Sequence, residues 1–304
     1  MDEDLVAGLR WGVRRRLEFI EFQLFWEGRV RRADLAEAFQ MSAQQASADI
    51  AQYQQMAPDN LTYDAATRTY LRGAAFAPRL VGEQTDRYLL QLVAINSGWM
   101  QKDETWFSWL SQSPPVEVVA LKRRPTHAGH LLAILDAIRG HQEILVCYQS
   151  MTAAQPSWRS IAPHALAHCA GRWHVRAWSR DHNEFRDYNI NRITEVKDAR
   201  PCSVDHALDY QWLHVMDHVL IPNPELDEES RKAVESDYGM DDGKRIFPLR
   251  LALTFYLMTE HNMDVERLRP QKQQVVLQNQ QAIEQAREQV GQLSREALRR
   301  AGAP

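Results

Sequence analysis

The sequence predicts an α+β protein of several domains, and three observations carry that prediction. The chain of 304 residues exceeds what one ordinary core holds and fits two or three domains of roughly 100 residues each. Its first part reads as helix, helix, helix and hairpin. From Glu143 the pattern changes to dense short strands with short turns, as in a small barrel or a strongly bent sheet.

The elements come in order. Val13, Leu17, Ile20 and Leu24 recur at helical spacing, and Trp26-Glu27-Gly28 ends that run with a glycine stop. Two short helices flank Gln40-Met41-Ser42. Leu35, Ala36 and Phe39 share a face of the first. Ala46, Ile50, Tyr53 and Ala57 share a face of the second, for which Ser42 is the expected N-cap. Pro58 stops it, and "NLTYDAATRTYLRG" gives two strands around Asp64-Ala65-Ala66-Thr67. Residues 81–109 read as mostly helical, and Pro114-Pro115 marks a boundary. "HAGHLLAILDAIRG" is a helix closed by Gly140. The strands "EILVCYQS", "SWRSIAPHALAHC", "RWHVRAWS" and "EFRDYNI" come next. Beyond Asp205 come an apolar stretch, an acid-started helix in "LDEESRKAVESDYGM", a strand running into a helix, the strand "QQVVLQN" and a closing amphipathic helix. Ile283, Ala286, Val290, Leu293 and Ala297 line up on that last helix.

Composition narrows the class. Hydrophobic residues make up 44% and charged residues 25%, the values of a soluble globular protein. A net charge of −4 does not advertise nucleic acid, but a basic face can hide inside a neutral whole, so local distribution matters more. Cys147, Cys169 and Cys202 fit no CxxC spacing and imply a reduced, cytoplasmic setting. "MDEDLVAGLRWGVRRR" has no apolar run of signal-peptide length, and no run of about 18 apolar residues offers a membrane span.

The N-terminal order is that of a winged helix-turn-helix, which explains the residue types. A recognition helix that buries Ala46, Ile50 and Tyr53 turns Gln44, Ala48 and Gln55 to the major groove, flanked by Gln45, Ser47 and Gln52. Amides read adenine bidentately, and small residues allow close approach. Arg14, Arg15 and Arg16, Arg31 and Arg32, and Arg68 and Arg72 on the wing would meet phosphates. The competing reading is a helical oligomerisation module with a solvated Gln/Arg face.

Catalysis finds no support. His164 and His168, like His214 and His218, are four apart, yet both pairs fall in strand-like stretches and no cysteine or carboxylate completes a zinc set. No phosphate-binding glycine loop, nucleophile elbow or HExxH is present. No metal or cofactor is expected.

"GRWHVRAWSRDHNEFRDYNINRI" is the most unusual stretch. It alternates hydrophobic with basic residues and sets Arg176, Arg186 and Arg192 beside aromatic rings. Tyr148, Ser150, Arg159 and His164 come from neighbouring strands. Guanidinium forks match phosphate or carboxylate, and rings stack on bases, so this set suits an anionic, nucleotide-like ligand. The same arginines can instead pair with Glu184, Asp187 and Glu195 while the tryptophans fill the core. The residues alone leave both readings open.

"GRWHVRAW…EFRDYNINRI", preceded by "YQS" and "PHAL", resembles the WYL domain of bacterial transcriptional regulators. The family's Trp-Tyr-Leu reads Trp173-His174-Val175 here. The resemblance extends along nearly the whole chain, through "IPNPELDEESRKAVESDYGM" and "FYLMTEHNMD". These look like the C-terminal extension of WYL regulators similar to repressors of anti-phage defence operons of the BREX and CBASS types. The resemblance implies a winged helix-turn-helix over 1–80, a helical linker over 81–117, a ligand-sensing WYL domain with an Sm-like barrel over 118–204, and a C-terminal α/β dimerisation domain over 205–304. It further implies a ligand pocket where Tyr148, Ser150, His164, Arg176, Arg186 and Arg192 fall. The expected protein is a homodimeric repressor that binds inverted-repeat double-stranded DNA and answers an anionic nucleotide or oligonucleotide. An activator of the same build and a single-strand-binding accessory factor are the alternatives.

Overall fold

The computed structural model describes residues 8–81, 85–101, 104–105, 114–119, 125–169 and 171–303. The chain divides into two compact units, Met1–Arg123 and Arg124–Pro304.

In the first unit, α1 (Trp11–Glu27) packs on α2 (Arg32–Ala38) and α3 (Ala43–Met56). The predicted apolar positions form the core: Leu17, Ile20, Leu24, Leu35, Ala46, Ile50 and Tyr53 are all buried. Gly28 ends α1 in the left-handed region at φ 73°, where its N–H donates to the Leu24 carbonyl at 3.1 Å. Ser42 caps α3 as expected, its Oγ accepting the Gln45 N–H at 3.2 Å. The wing is β2 (Leu61–Asp64) and β3 (Thr69–Arg72), and β1 (Arg29–Val30) adds a third strand on the far side of β3. Gly73 closes the wing because a Cβ there would lie 1.9 Å from the Asp59 carbonyl oxygen.

One buried carboxylate organises the segment after the wing. Glu21 accepts the N–H groups of Arg79, Leu80 and Val81 at 2.6–3.0 Å and the Tyr53 hydroxyl at 2.9 Å. Burial and the Glu21 charge push the Tyr53 phenol up, so it stays protonated and donates. Helix α4 (Thr85–Asn96) then packs on α1, with Tyr88 stacked 4.0 Å from Trp26. The rest of the helical stretch predicted over 81–109 lies partly outside the described residues.

The second unit begins with α5 (Ala128–Arg139), ended by Gly140 as predicted, and a five-stranded antiparallel sheet. Its strands are β4 (Gln142–Tyr148), β5 (Ser157–Cys169), β6 (Arg172–Ser179), β7 (Glu184–Asn189) and β8 (Ile193–Pro201), in the order β7-β6-β5-β4-β8. Ile134 and Ala137 of α5 cover Ile144, Val146, Ile161, Val175 and Ala177 on one face. Register shifts at Glu143/Leu145, Cys147/Tyr148 and Pro163/Ala165 bend the sheet. The expected Sm-like barrel is not confirmed, because among the described residues the sheet does not close. The edge strands β7 and β8 are joined by the short turn Ile190–Arg192, and β8 turns away at once to pair with β4, Ile193 opposite Tyr148.

The chain then passes through α6 (Tyr210–Leu213) into β9 (Val215–Pro222), α7 (Glu228–Asp237), β10 (Arg245–Arg250), α8 (Thr254–Glu260), β11 (Val275–Leu277) and α9 (Gln280–Arg300). β9 is central in an antiparallel sheet of order β10-β9-β11. Leu220, Leu277, Ile283 and Val290 form the core under α9. The buried face of α9 is rotated from the one predicted. Gly291, Ser294 and Leu298 point inward with Ile283 and Val290, whereas Leu293 is exposed. Gly291 lets Gln211 lie close to the helix, since a Cβ there would sit 2.9 Å from the Gln211 amide nitrogen and displace it. No helix among the described residues is long and apolar enough to cross a membrane.

Candidate nucleic-acid interface and sensor site

Helix α3 presents Gln44, Ala48, Ala51 and Gln55 as one exposed line, opposite its buried Ala46, Ile50 and Tyr53. Ala51 is an addition to the residues expected from the sequence. It follows from helical spacing once Ala48 and Gln55 are placed. Gln52 and Ser47 are half-buried beside the line. Gln45 is exposed but tied down, its amide donating to Asp49 at 3.1 Å, and Asp49 also takes the Arg16 fork at 2.6 and 3.1 Å.

The expected phosphate contacts differ in how free they are. Arg14 and Arg15 rest on Glu18 at 2.9 and 3.2 Å, and Arg31 rests on Asp34 at 3.1 Å. Exposed pairs of this kind are worth under about 1 kcal/mol, so exchange for a phosphate costs little. Arg32 donates to Ser47 Oγ at 3.3 Å, at the start of α3. Arg72 donates to the Phe25 carbonyl at 2.8 Å. Arg68, at φ 52° in the tip of the wing, is exposed and has no side-chain partner among the described residues.

In the second unit the pairing register separates residues that look adjacent in sequence. Asp187 stands opposite Arg176, and Arg186 opposite Ala177, so Arg176 and Arg186 leave the sheet on opposite faces. Arg186 pairs with Glu184 at 2.5 Å at the sheet edge. Tyr148 is buried in the core, 5.1 Å from Tyr188 in an edge-to-face contact, and its hydroxyl accepts the Asn189 N–H. Ser150 Oγ accepts the Ala153 N–H at 2.9 Å within its own turn. Arg192 is half-buried, has no side-chain partner among the described residues, and its carbonyl accepts the Gln149 N–H. The single cluster of three open guanidiniums is therefore corrected. Two of them are paired, and they face different ways.

His164 and Arg176 do come together, on a carboxylate that the sequence does not point to. Arg176 is only 4% exposed, and its Nε and Nη2 donate side-on to Asp209 at 2.8 and 3.0 Å. His164 Nε2 lies 3.0 Å from the same carboxylate. Arg176 Nη1 also reaches Asp187 at 3.3 Å. Asp209 sits just before α6 and caps it, accepting the Trp212 N–H at 3.2 Å. The two carboxylates differ. Burial and the nearby Asp209 hold Asp187 above the usual carboxylate range despite Arg176. Burial pushes Asp209 up too, but the hydrogen bonds from His164 and Arg176 outweigh it and hold Asp209 below that range.

The remaining histidines serve structure. The bulge at Pro163/Ala165 separates His164 from His168, which packs 4.9 Å from Trp173. His214 ends α6 instead of lying in a strand, and His218 is buried with Nε2 3.0 Å from Thr254 Oγ1. Among the described residues no three of His, Cys, Asp or Glu are placed to hold a metal.

Comparison with known proteins accounts for the architecture in three parts. Residues 12–94 match the BrxR transcriptional regulator winged helix-turn-helix domain, residues 129–198 the WYL domain, and residues 215–283 the BrxR transcriptional regulator C-terminal dimerization domain. The DNA-binding transcriptional repressor CapW of Stenotrophomonas maltophilia is 38% identical over 290 residues, covering 94% of this chain and 95% of that protein. The proteins of the same name from Escherichia coli strain KTE188 and Pseudomonas aeruginosa are each 35% identical over 278 residues, covering 91% of this chain and 92% of theirs. The chain belongs to the CapW family of DNA-binding transcriptional repressors, regulators and not enzymes.

Proposed function

We propose that this chain is a homodimeric repressor of a phage-defence operon, binding an inverted-repeat operator under the control of an anionic ligand. The observation that carries the reading is the exposed line Gln44, Ala48, Ala51 and Gln55 on α3, with Arg32 at its start and, on the wing, Arg68, which has no side-chain partner among the described residues. Amides and small side chains read base edges, while the arginines hold phosphates. A dimer places two such helices on two half-sites, which is the symmetry of an inverted repeat.

The C-terminal sheet supplies a surface for the dimer. One face packs under α9. The other carries Val215, Val219, Ile221, Ile246 and Val276, with Val215 and Ile246 each 53% exposed, and also the charged Asp217 and Arg250. A mostly apolar face with a few charges fits a second copy. Ligand control rests on the WYL sheet, where His164 and Arg176 already bind a carboxylate and Arg192 lies beside the Ser150 turn. A ligand changes DNA binding only through different affinities for two states, which ties sensing to a movement of the C-terminal part.

Footprinting of the purified protein on DNA upstream of its own gene cluster tests the reading. A two-fold symmetric protected site is expected. Protection without symmetry, or none, overturns it.

A further inference from the structure

We propose that Asp209 is a built-in substitute for the phosphate of the ligand: it occupies the His164–Arg176 anion site from within the same chain and leaves when a phosphate arrives. This rests on the sensor reading above and adds how the site is regulated.

The donors and the acceptor come from different parts of the unit. His164 and Arg176 belong to β5 and β6 of the WYL sheet, whereas Asp209 belongs to the segment that enters the C-terminal domain. Three donors meet this one carboxylate: a side-on guanidinium fork at 2.8 and 3.0 Å and an imidazole nitrogen at 3.0 Å. A fork of that geometry accepts two oxygens of a phosphate equally well, with the imidazole on one of them.

Release of Asp209 is tolerable on the side of Arg176 and consequential on the other. Arg176 Nη1 keeps Asp187 at 3.3 Å, so the guanidinium is never left buried without a carboxylate. The segment behind Asp209 is wired into the C-terminal domain. The Tyr210 N–H donates to Ser294 Oγ at 2.9 Å, and the Gln211 amide to the Arg287 carbonyl at 3.0 Å, both on α9. Moving Asp209 off the sheet therefore pulls on α6 and α9. A narrow cleft reaches the site from outside. Arg176, Asp209, Gln211 and Ser294 line it together with Glu184, whose charge is held by Arg186, and Arg295, an exposed cation without a partner among the described residues.

The test titrates the full chain with inorganic phosphate, comparing wild type with Asp209→Asn. Asparagine keeps the size and capping ability of aspartate but removes the competing charge. Phosphate is expected to bind Asp209→Asn at least tenfold more tightly than wild type, and the gain is expected to vanish in Asp209→Asn/Arg176→Gln. Near-UV circular dichroism checks folding, and Asp209→Ser, also a good cap, replaces the asparagine variant if that one fails to fold. Adenosine monophosphate and a ten-nucleotide single strand, titrated next, distinguish a terminal phosphate from a backbone one by which shows the same gain. Equal phosphate affinity in folded wild type and variant overturns the substitution by Asp209 and leaves the sensor reading to Arg192 and Ser150. No phosphate binding by the folded Asp209→Asn protein overturns the His164–Arg176 anion site as well.

Discussion

Replacing His174 with phenylalanine tests how the WYL sheet tolerates acid. His174 is 7% exposed, with its ring centroid 4.8 Å from that of Tyr256 and Nδ1 3.4 Å from Cys169 Sγ. Burial, together with the charges of Arg172, Arg192 and His168, lowers its pKa from 6.5 to about 4. The unfolded chain thus takes up a proton below pH 6.5 that the folded chain refuses until about pH 4. The folded state accordingly keeps its full advantage above pH 6.5 and loses it progressively as pH falls from 6.5 to about 4. At pH 5 the loss from this one group is roughly 2 kcal/mol. With a urea dependence of about 2 kcal/mol/M, His174 alone should contribute about 1 M to the fall of the wild-type unfolding midpoint between pH 7 and pH 5. His174→Phe keeps a ring of similar volume and removes the proton site, so its midpoint should fall by about 1 M less over that interval. Urea unfolding followed by circular dichroism measures both. An equal fall in the two proteins would refute the argument and place the acid sensitivity elsewhere.

Other expectations come from the same geometry. Glu21→Gln should destabilise the N-terminal unit by about 2–4 kcal/mol in thermal or urea unfolding, because a charged acceptor of four hydrogen bonds becomes a weaker, half-donating amide. A loss below about 0.5 kcal/mol would contradict that role. Ile246→Asp should turn the dimer to monomer in analytical sedimentation, since it puts a charge in the uncovered face of the C-terminal sheet. An unchanged dimer would move the interface, with Leu293 on α9 the next candidate. Arg68→Ala should weaken binding to all DNA sequences alike and reduce the slope of log affinity against log salt by about 0.9. A change confined to one base position would contradict a phosphate contact.

What can be read from the sequence is whatever a repeat distance encodes. Ile50 and Tyr53 of α3, the Ser42 cap and the Gly28 stop all express local periodicity or local backbone need, and each stands as predicted. β5 and β6 are legible over their full extents for the same reason. β8 is not, because only Ile193 of Ile193–Pro201 is fully buried, so an edge strand of mostly exposed residues carries almost no alternation. The sensor site is half legible. Alternation says that Arg176 and Arg186 lie in strands, but only the cross-strand register shows that they leave opposite faces. Asp209 is 33 residues from Arg176, in a segment with no periodic pattern, and its one local signal is that of a helix cap. On α9 the apolar residues alone favour the Leu293 line. The approach of Gln211 to Gly291 selects the Ser294 line instead, a tertiary demand that no helical period contains.

The central claim is that α3 reads the operator, and the most direct measurement is the affinity of Gln44→Ala and Gln55→Ala for the footprinted site and for base-pair variants of it. Each loss of a bidentate amide contact should cost about 1–3 kcal/mol on the wild-type site. It should also flatten the preference at one base pair per half-site, while affinity for unrelated DNA stays the same. If both variants bind the operator and every base-pair variant as wild type does, α3 is not the reader and the account fails.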